Sequence, residues 1–350
     1  RRRKGKSMDL RLPNNVSRLS FVLVAFTFAM VGCSNGGSNE LSFVGPEIEG
    51  IRDIRIADLR EGTSRKVLPR ANGLGGAFLW FPDGERAVVY RGGAAYVAEV
   101  ENDLITECLT CDFDDFGSPA FAPDGRSIAW PARDGIYLQD MDGYGLEKVA
   151  DLKKPGWLSW SPDSRSIAFA RRNGGLTIYR LDLEDGSITP LTNYAGYETA
   201  DHIAPAWSPT ADLIAFHLLE EGFRLVVMEA DGSDMRELAE WSLAGEHYEP
   251  GSQEPPQWSP DGKRLLFSAA SARGDSDIFA VNVDGTGLTN LTNFPGADRE
   301  AVWSHDGKLI AFASNREGNW EIYVMNADGS NVRNVSNRPI SPEMNPNWRP

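Results

Sequence analysis

The chain has 350 residues, with 35 Lys and Arg against 50 Asp and Glu, a formal net charge of −15. A negative balance of that size argues against nucleic acid and anionic membrane surfaces as partners, and favours cations or basic protein segments wherever charge governs binding. About three hundred residues can bury a large core, and no linker divides them, so one folded domain is expected.

The N-terminal residues read as an address. Residues 1–18 hold seven basic residues and one acid, and residues 19–31 are apolar except for Ser20 and Thr27. Thirteen residues are short for a membrane span, which needs about 20. A basic start, a short apolar run and then small residues describe a secretory signal. Gly32-Cys33-Ser34 follows at once and resembles the bacterial lipobox, with Met30 where Leu is commoner. The expectation is a signal peptide over 1–32, a lipid-anchored tether over 33–40 with Cys33 as the acylated residue, and a folded domain over 41–350. The alternative is a plain signal peptide with an incidental Cys. The first residue is Arg, and Met8 is a candidate start. Without residues 1–32 the chain carries 28 Lys and Arg against 49 Asp and Glu, a net charge of −21.

A phrase close to Trp-Ser-Pro-Asp-Gly then recurs every 39 to 51 residues, starting at Trp80, Phe121, Trp160, Trp207, Trp258, Trp303 and Trp348. A period of this length means one structural unit copied along the chain. The cleanest copy follows Trp303. The segment 301–303 is a first strand, and Ser304-His305-Asp306-Gly307 turns the chain. Residues 309–313 form a second strand and 321–325, β-branched and aromatic, a third. Asp328-Gly329 marks a hairpin, and 332–335 form a fourth strand. Four-stranded units repeated around an axis make a β-propeller, in which the recurrent Trp fills the wedge between blades.

Six full copies follow residue 80. Before them, residues 41–44, 53–58 and 64–68 match strands two to four of a unit lacking its first strand, and residues 344–349 supply a first strand lacking the rest. Joining them removes two open edges. The expected fold is therefore all-β, a seven-bladed propeller whose N- and C-terminal strands share a blade, with six blades as the alternative.

Two cysteines remain, in Cys108-Leu109-Thr110-Cys111. A short disulfide fits an oxidising compartment. A redox pair would lack its usual helical setting, and zinc would need a second pair of ligands.

Chemistry is expected at the mouth, where the loops from strand four to the next strand one emerge. These loops carry Asp201 and His202, then Trp241, His247, Tyr248, Glu249 and Glu254 in the long segment 238–257, then Asp298, Glu300 and Glu343. Aromatic anchors rimmed by acid suit a basic or extended polypeptide. His202, His217 and His247 fall on one side of this mouth and constitute the alternative metal site, although no fixed spacing supports it. No cofactor is expected, and there is no Gly-x-Ser-x-Gly elbow of the hydrolase kind.

The repeat Trp-Ser-Pro-Asp-Gly-Lys, followed by Ile-Tyr-Val-Met-Asn-x-Asp-Gly-Ser and Leu-Thr-Asn, resembles that of the TolB propeller family, most clearly over 258–293 and 303–337. The resemblance implies a periplasmic envelope protein. TolB itself has an α/β domain ahead of a six-bladed propeller, so the expectation here is a TolB-like protein distinct from TolB. The function expected is non-catalytic: a monomeric periplasmic lipoprotein, sorted to the outer membrane, that binds an envelope protein or peptide and meets the membrane only through its anchor. The alternatives are a metal-dependent propeller enzyme such as a carbohydrate lyase, and an accessory subunit of a separate hydrolase. Similar propellers also gate prolyl-oligopeptidase-like peptidases.

Overall fold

The computed structural model describes residues 39–48, 51–67, 74–91, 94–111, 116–192, 201–220, 222–241, 254–271, 273, 275–336 and 342–350. Among the described residues the regular structure is all strand, arranged in seven antiparallel sheets of four. Blade 1 joins the two ends of the chain: β28 (Met344–Trp348) pairs with β1 (Glu40–Ile48), which is followed by β2 (Ile51–Asp58) and β3 (Thr63–Val67). Blade 2 is β4 (Leu74–Trp80), β5 (Arg86–Arg91), β6 (Ala94–Glu99) and β7 (Leu104–Cys108). Blade 3 is β8 (Ala120–Phe121), β9 (Ser127–Ala132), β10 (Gly135–Asp140) and β11 (Glu147–Asp151). Blade 4 is β12 (Gly156–Trp160), β13 (Ser166–Asn173), β14 (Gly175–Asp182) and β15 (Ile188–Pro190). Blade 5 is β16 (Asp201–Trp207), β17 (Leu213–Glu220), β18 (Gly222–Glu229) and β19 (Arg236–Trp241). Blade 6 is β20 (Gln257–Trp258), β21 (Arg264–Ala270), β22 (Ser276–Asn282) and β23 (Thr289–Asn290). Blade 7 is β24 (Asp298–Trp303), β25 (Leu309–Ser314), β26 (Glu321–Asn326) and β27 (Arg333–Asn334).

The core is distributed between blades. Seven apolar clusters lie one across each neighbouring pair, from Val44, Ile54 and Ile56 against Phe78, Trp80 and Val89 between blades 1 and 2, round to Val302, Ala311 and Ile322 against Leu41, Phe43 and Trp348 between blades 7 and 1. The last cluster closes the ring. This is the seven-bladed propeller with a shared blade that the repeat count predicts.

The repeated residues each have a mechanical reason. The tryptophans wedge between blades and donate their indole N–H backwards: Trp160 to the Ala120 carbonyl at 2.9 Å, Trp258 to Ala206 at 2.9 Å, Trp303 to Gln257 at 3.3 Å and Trp348 to Val302 at 3.2 Å. A buried donor left unmade would cost about 1–3 kcal/mol, so the wedge also fixes the ring's orientation. Trp207 departs from this, since its indole nitrogen is buried without a partner among the described residues; the Ser159 hydroxyl instead takes its backbone N–H at 2.8 Å. In the turns, Gly262 N–H bonds back to the Ser259 carbonyl at 2.8 Å, and Ser259 Oγ both donates to Asp261 at 2.7 Å and accepts the Arg264 N–H at 2.9 Å. Gly262 has φ of 68°, a region that an L side chain occupies only with strain.

The Leu-Thr-Asn phrase also resolves into a latch. Thr192, Thr292 and Ser336 each take a backbone N–H of the third strand, from Ile178, Ile278 and Ile322, at 3.0 Å. Thr110 does the same for Ala95 at 2.9 Å. Cys108-Leu109-Thr110-Cys111 is therefore the latch of blade 2, and its two sulfurs are bonded to each other across a Cα–Cα distance of 5.6 Å.

One sequence boundary shifts. The segment 238–257, read as loop, begins with strand: Ala239 pairs with Leu225 and Trp241 with Phe223 in β19. Leu238 and Ala239 are buried in the core between blades 5 and 6, and that burial holds them in the sheet.

Candidate functional site: an acidic mouth

The first strands of successive blades touch one another, β12 with β16, β20 with β24 and β24 with β28, so they line the axis. Each enters at the mouth and ends at its Trp. Three residues before the Trp, four of these strands hold a non-glycine residue in the left-handed region: Trp157 (φ 51°), Ala204 (55°), Glu300 (56°) and Asn345 (56°). The pairing register breaks at the same places, between Gly156 and Ser159, Ile203 and Ala206, and Arg299 and Val302. These are bulges, which bend a strand and re-aim a side chain. Non-glycine residues adopt this conformation only where the surroundings impose it, often at functional positions.

Glu300 and Glu254 meet at the blade 7 bulge. Glu300 N–H donates to Glu254 Oε2 at 2.8 Å, and Asn345 N–H donates to Glu300 Oε2. Behind Glu254, His217 Nε2 lies 3.2 Å from its carbonyl oxygen. Since a carbonyl only accepts, Nε2 carries the proton. Blades 5, 6, 7 and 1 are thus linked in series around the mouth by His217, Glu254, Glu300 and Asn345.

Electrostatics follow from this enclosure. Each glutamate residue keeps some exposure, yet its carboxyl group is surrounded by protein. Burial, then the Glu300 charge, push the Glu254 carboxyl up to about 8, against the pull of the Glu300 N–H and Arg299. Burial pushes Glu300 up to about 7, against the Asn345 N–H and Arg299. The two titrate as a pair, and near neutrality they hold a proton between them. Arg299 itself lies over the Trp320 ring, 5.2 Å from its centroid. Burial lowers His217 to about 4, so it is neutral at physiological pH.

The other sequence-predicted residues are placed differently. Asp201 accepts the Leu176 N–H at 2.7 Å and lies 3.5 Å from Arg172, tying the mouth edge of blade 4. Asp298 is buried and bonded to Arg316 at 3.1 Å, an internal ion pair beneath the mouth. Glu343 is buried, with its backbone N–H on the Trp320 carbonyl at 2.8 Å. His202 pairs with Leu218, and His217 with Ile203, so the two imidazoles face opposite sides of blade 5. His202 packs 5.8 Å from the Phe216 ring toward blade 4, and burial lowers its basicity. The structure does not bring these two histidines together, and no group of three candidate metal ligands occurs among the described residues. His247, Tyr248, Glu249 and Cys33 lie outside the described residues, as does the side chain of Trp241. Trp157 is a mouth residue that the sequence did not single out; only its position three before Trp160 relates it to Glu300.

The fold and site define a seven-bladed propeller with a carboxylate pair at its axial mouth. Residues 247–350 match the family described as PD40, TolB beta propeller domain. The chain is thus a seven-bladed β-propeller whose C-terminal blades are similar to the TolB propeller. An uncharacterized protein of Agrobacterium fabrum is 25% identical over 260 residues, covering 67% of this chain and 82% of the relative. The Tol-Pal system protein TolB of Francisella tularensis is 24% identical over 222 residues, covering 51% of this chain and 50% of TolB, so the chain spans about half the length of that relative. Among solved structures, an oligogalacturonate lyase in complex with manganese superposes with a TM-score of 0.60 at 17% identity, covering 86% of each chain. That likeness is one of fold.

Proposed function

We propose that this chain is a non-catalytic cell-envelope propeller that holds a cationic polypeptide segment at its mouth. The observation carrying this reading is the enclosed Glu254–Glu300 pair. It shares a proton in isolation and gains a full second charge when a Lys or Arg side chain enters. The similarity to TolB proteins of the Tol-Pal system supports an envelope partner. A fluorescein-labelled octapeptide of alternating Lys and Ala is the probe. Replacing both glutamates, E254Q/E300Q, should weaken its binding at least tenfold, about 1.4 kcal/mol, without lowering the melting temperature. Equal affinity of the two proteins for that peptide would remove the site from this pair.

We also propose that Cys33 is acylated and that the protein resides in the periplasm, at the outer membrane. Each buried methylene of an acyl chain contributes about 0.8 kcal/mol, so two or more chains hold stably. Cys33→Ala should move the protein from the membrane pellet to the soluble fraction after a high-salt wash. Retention of the variant in the pellet would end the anchor proposal.

A further inference from the structure

The two ends of the propeller stand differently toward Cys33. Glu40 opens β1 at the turn end of blade 1, and the loops there hold it. Arg349 N–H donates to the Glu40 carbonyl at 3.0 Å, and Leu59 N–H, in the β2–β3 hairpin, donates to the Asn39 carbonyl at 3.0 Å. Arg349 also donates to Gly84 O at 2.6 Å, in the Trp80-Phe81-Pro82-Asp83-Gly84 turn of blade 2, and pairs with the Glu40 carboxylate at 2.5 Å. The chain therefore enters the fold at the end of the axis opposite the mouth.

Glu40 follows Cys33 by seven residues, which span at most about 25 Å fully extended. From Glu40 toward the mouth, β1 itself runs nine residues, about 30 Å. In the sheet, β2 and β3 lie outside β1, and at roughly 4.8 Å per strand they add about 10 Å to any path around the rim. A cysteine at the start of that segment does not reach the plane of the mouth. The exposed apolar side chains are distributed to match. Among the described residues, Leu104, Tyr144, Ile188, Met235, Leu288 and Val332 are exposed beside the hairpins of strands three and four, at the turn end, while Phe294 is the large exposed apolar residue of the mouth side.

We infer that the anchored protein turns its mouth away from the bilayer that holds its acyl chains, and that the cationic segment bound there belongs to a partner standing off that bilayer. The inference rests on acylation of Cys33 as proposed above. A basic segment held at the surface of the same bilayer meets the turn end or the blade rims, whereas the Glu254–Glu300 pair opens at the far end of the axis. A partner that reaches the pair presents its Lys or Arg from the aqueous space. The short tether thus selects among cationic polypeptides by where they are held, because two attachments that cannot be satisfied at once do not reinforce each other.

The acylated full chain, added to preformed phosphatidylcholine vesicles that carry a rhodamine-labelled lipid, tests this. Cys108 and Cys111 are bonded to each other, so a single added cysteine takes a fluorescein donor. The two positions are Arg133→Cys, in the β9–β10 hairpin at the mouth, and Tyr144→Cys, between β10 and β11 at the turn end, both exposed. Energy transfer to the lipid should be at least about twofold greater from residue 144, since the labels stand roughly 20 Å apart along β10. Inserting roughly twelve Gly and Ser residues between Ser38 and Asn39 should remove that difference by lengthening a flexible tether. The free Lys-Ala octapeptide should bind the vesicle-held protein, and the same octapeptide coupled directly to headgroups of those vesicles should fail to compete with it. Equal transfer from the two residues, stronger transfer from residue 133, or full competition by the coupled octapeptide at the native tether length overturns the inference with acylation intact. Failure of the unsubstituted chain to bind vesicles, as expected of Cys33→Ala, would instead remove acylation and the inference with it. Absence of octapeptide binding would remove the mouth site and its partner, while the transfer ratio still reports the orientation.

Discussion

Deletion of residues 344–350 is expected to abolish single-step cooperative unfolding and to drive the protein into aggregates. The deletion removes β28, the innermost strand of blade 1, and with it Trp348, which is 3% exposed between blades 7 and 1. Polar closure goes too. Asn347 donates to the Phe78 carbonyl at 3.1 Å and its own carbonyl accepts Ser42 Oγ at 2.9 Å, while that same Ser42 oxygen receives the Trp80 indole at 3.0 Å. Arg349 adds a clamp across the seam, donating to Gly84 O at 2.6 Å and to Glu101 at 2.8 Å, with its guanidinium 5.0 Å above Trp80. The first strand left behind, β1, would present an unpaired edge toward the axis, a template for pairing with other chains. Trp348→Ala keeps the strand and should cost about 3–5 kcal/mol, the range for large aromatic truncations in a core. Calorimetry and size-exclusion chromatography separate the two results. An unchanged melting transition in the deletion would mean that the ring closes without its terminal strand.

The closure is legible in the sequence because it is periodic. Residues 41–68 and 344–349 are fragments of a unit that six intact copies define, so their complementarity can be read from spacing alone. The turn residues, the tryptophans and the Leu-Thr latch are legible for the same reason: each serves a local bond repeated in blade after blade. The mouth is legible only in outline. Spacing puts Glu254, Glu300, Asp298 and Glu343 there, yet composition does not distinguish the enclosed Glu254–Glu300 pair from Asp298, which Arg316 neutralises from 18 residues away. The distinction rests on a left-handed residue at Glu300, and no residue type announces that conformation outside glycine. His202 and His217 fail to converge for a related reason. His202 and His217 are close along paired strands, but the period of two sends adjacent registers to opposite faces. His305 occupies a turn position in the sequence and in the structure, where the other copies carry proline.

The Glu254–Glu300 pair should also make stability fall as pH rises. Both carboxyls have folded-state values raised above the ordinary 4.5, to about 8 and about 7, with burial as the main cause. Between these limits the folded chain holds protons that the unfolded chain has released, so the free energy of unfolding decreases with pH. Their contribution is fully present below about pH 4.5 and is lost as pH climbs through 7 and 8. His217 acts in the other direction at lower pH: its value is lowered from 6.5 to about 4, so its contribution is lost as pH falls across that interval. A difference measurement isolates the glutamates. The E254Q/E300Q variant carries neutral side chains at both sites, and the amide oxygens can still accept the Glu300 and Asn345 backbone N–H groups. Urea midpoints for the two proteins should lie closest near pH 5, separate progressively up to about pH 8 and run parallel beyond it. At pH 9 the variant should be more stable by more than about 1.4 kcal/mol, equivalent to a tenfold change in proton affinity at a single group. The same titration sets the mouth's affinity. A pair that is protonated at both carboxyls below about pH 7 and ionised at both above about pH 8 should hold the Lys-Ala octapeptide more tightly at pH 8.5 than at pH 6, and the variant should show no such rise. Parallel stability curves for the two proteins from pH 5 to 9 would mean that these carboxyls are solvated and ionised throughout, and the mouth would then lack the stored proton on which its recognition of a cation depends.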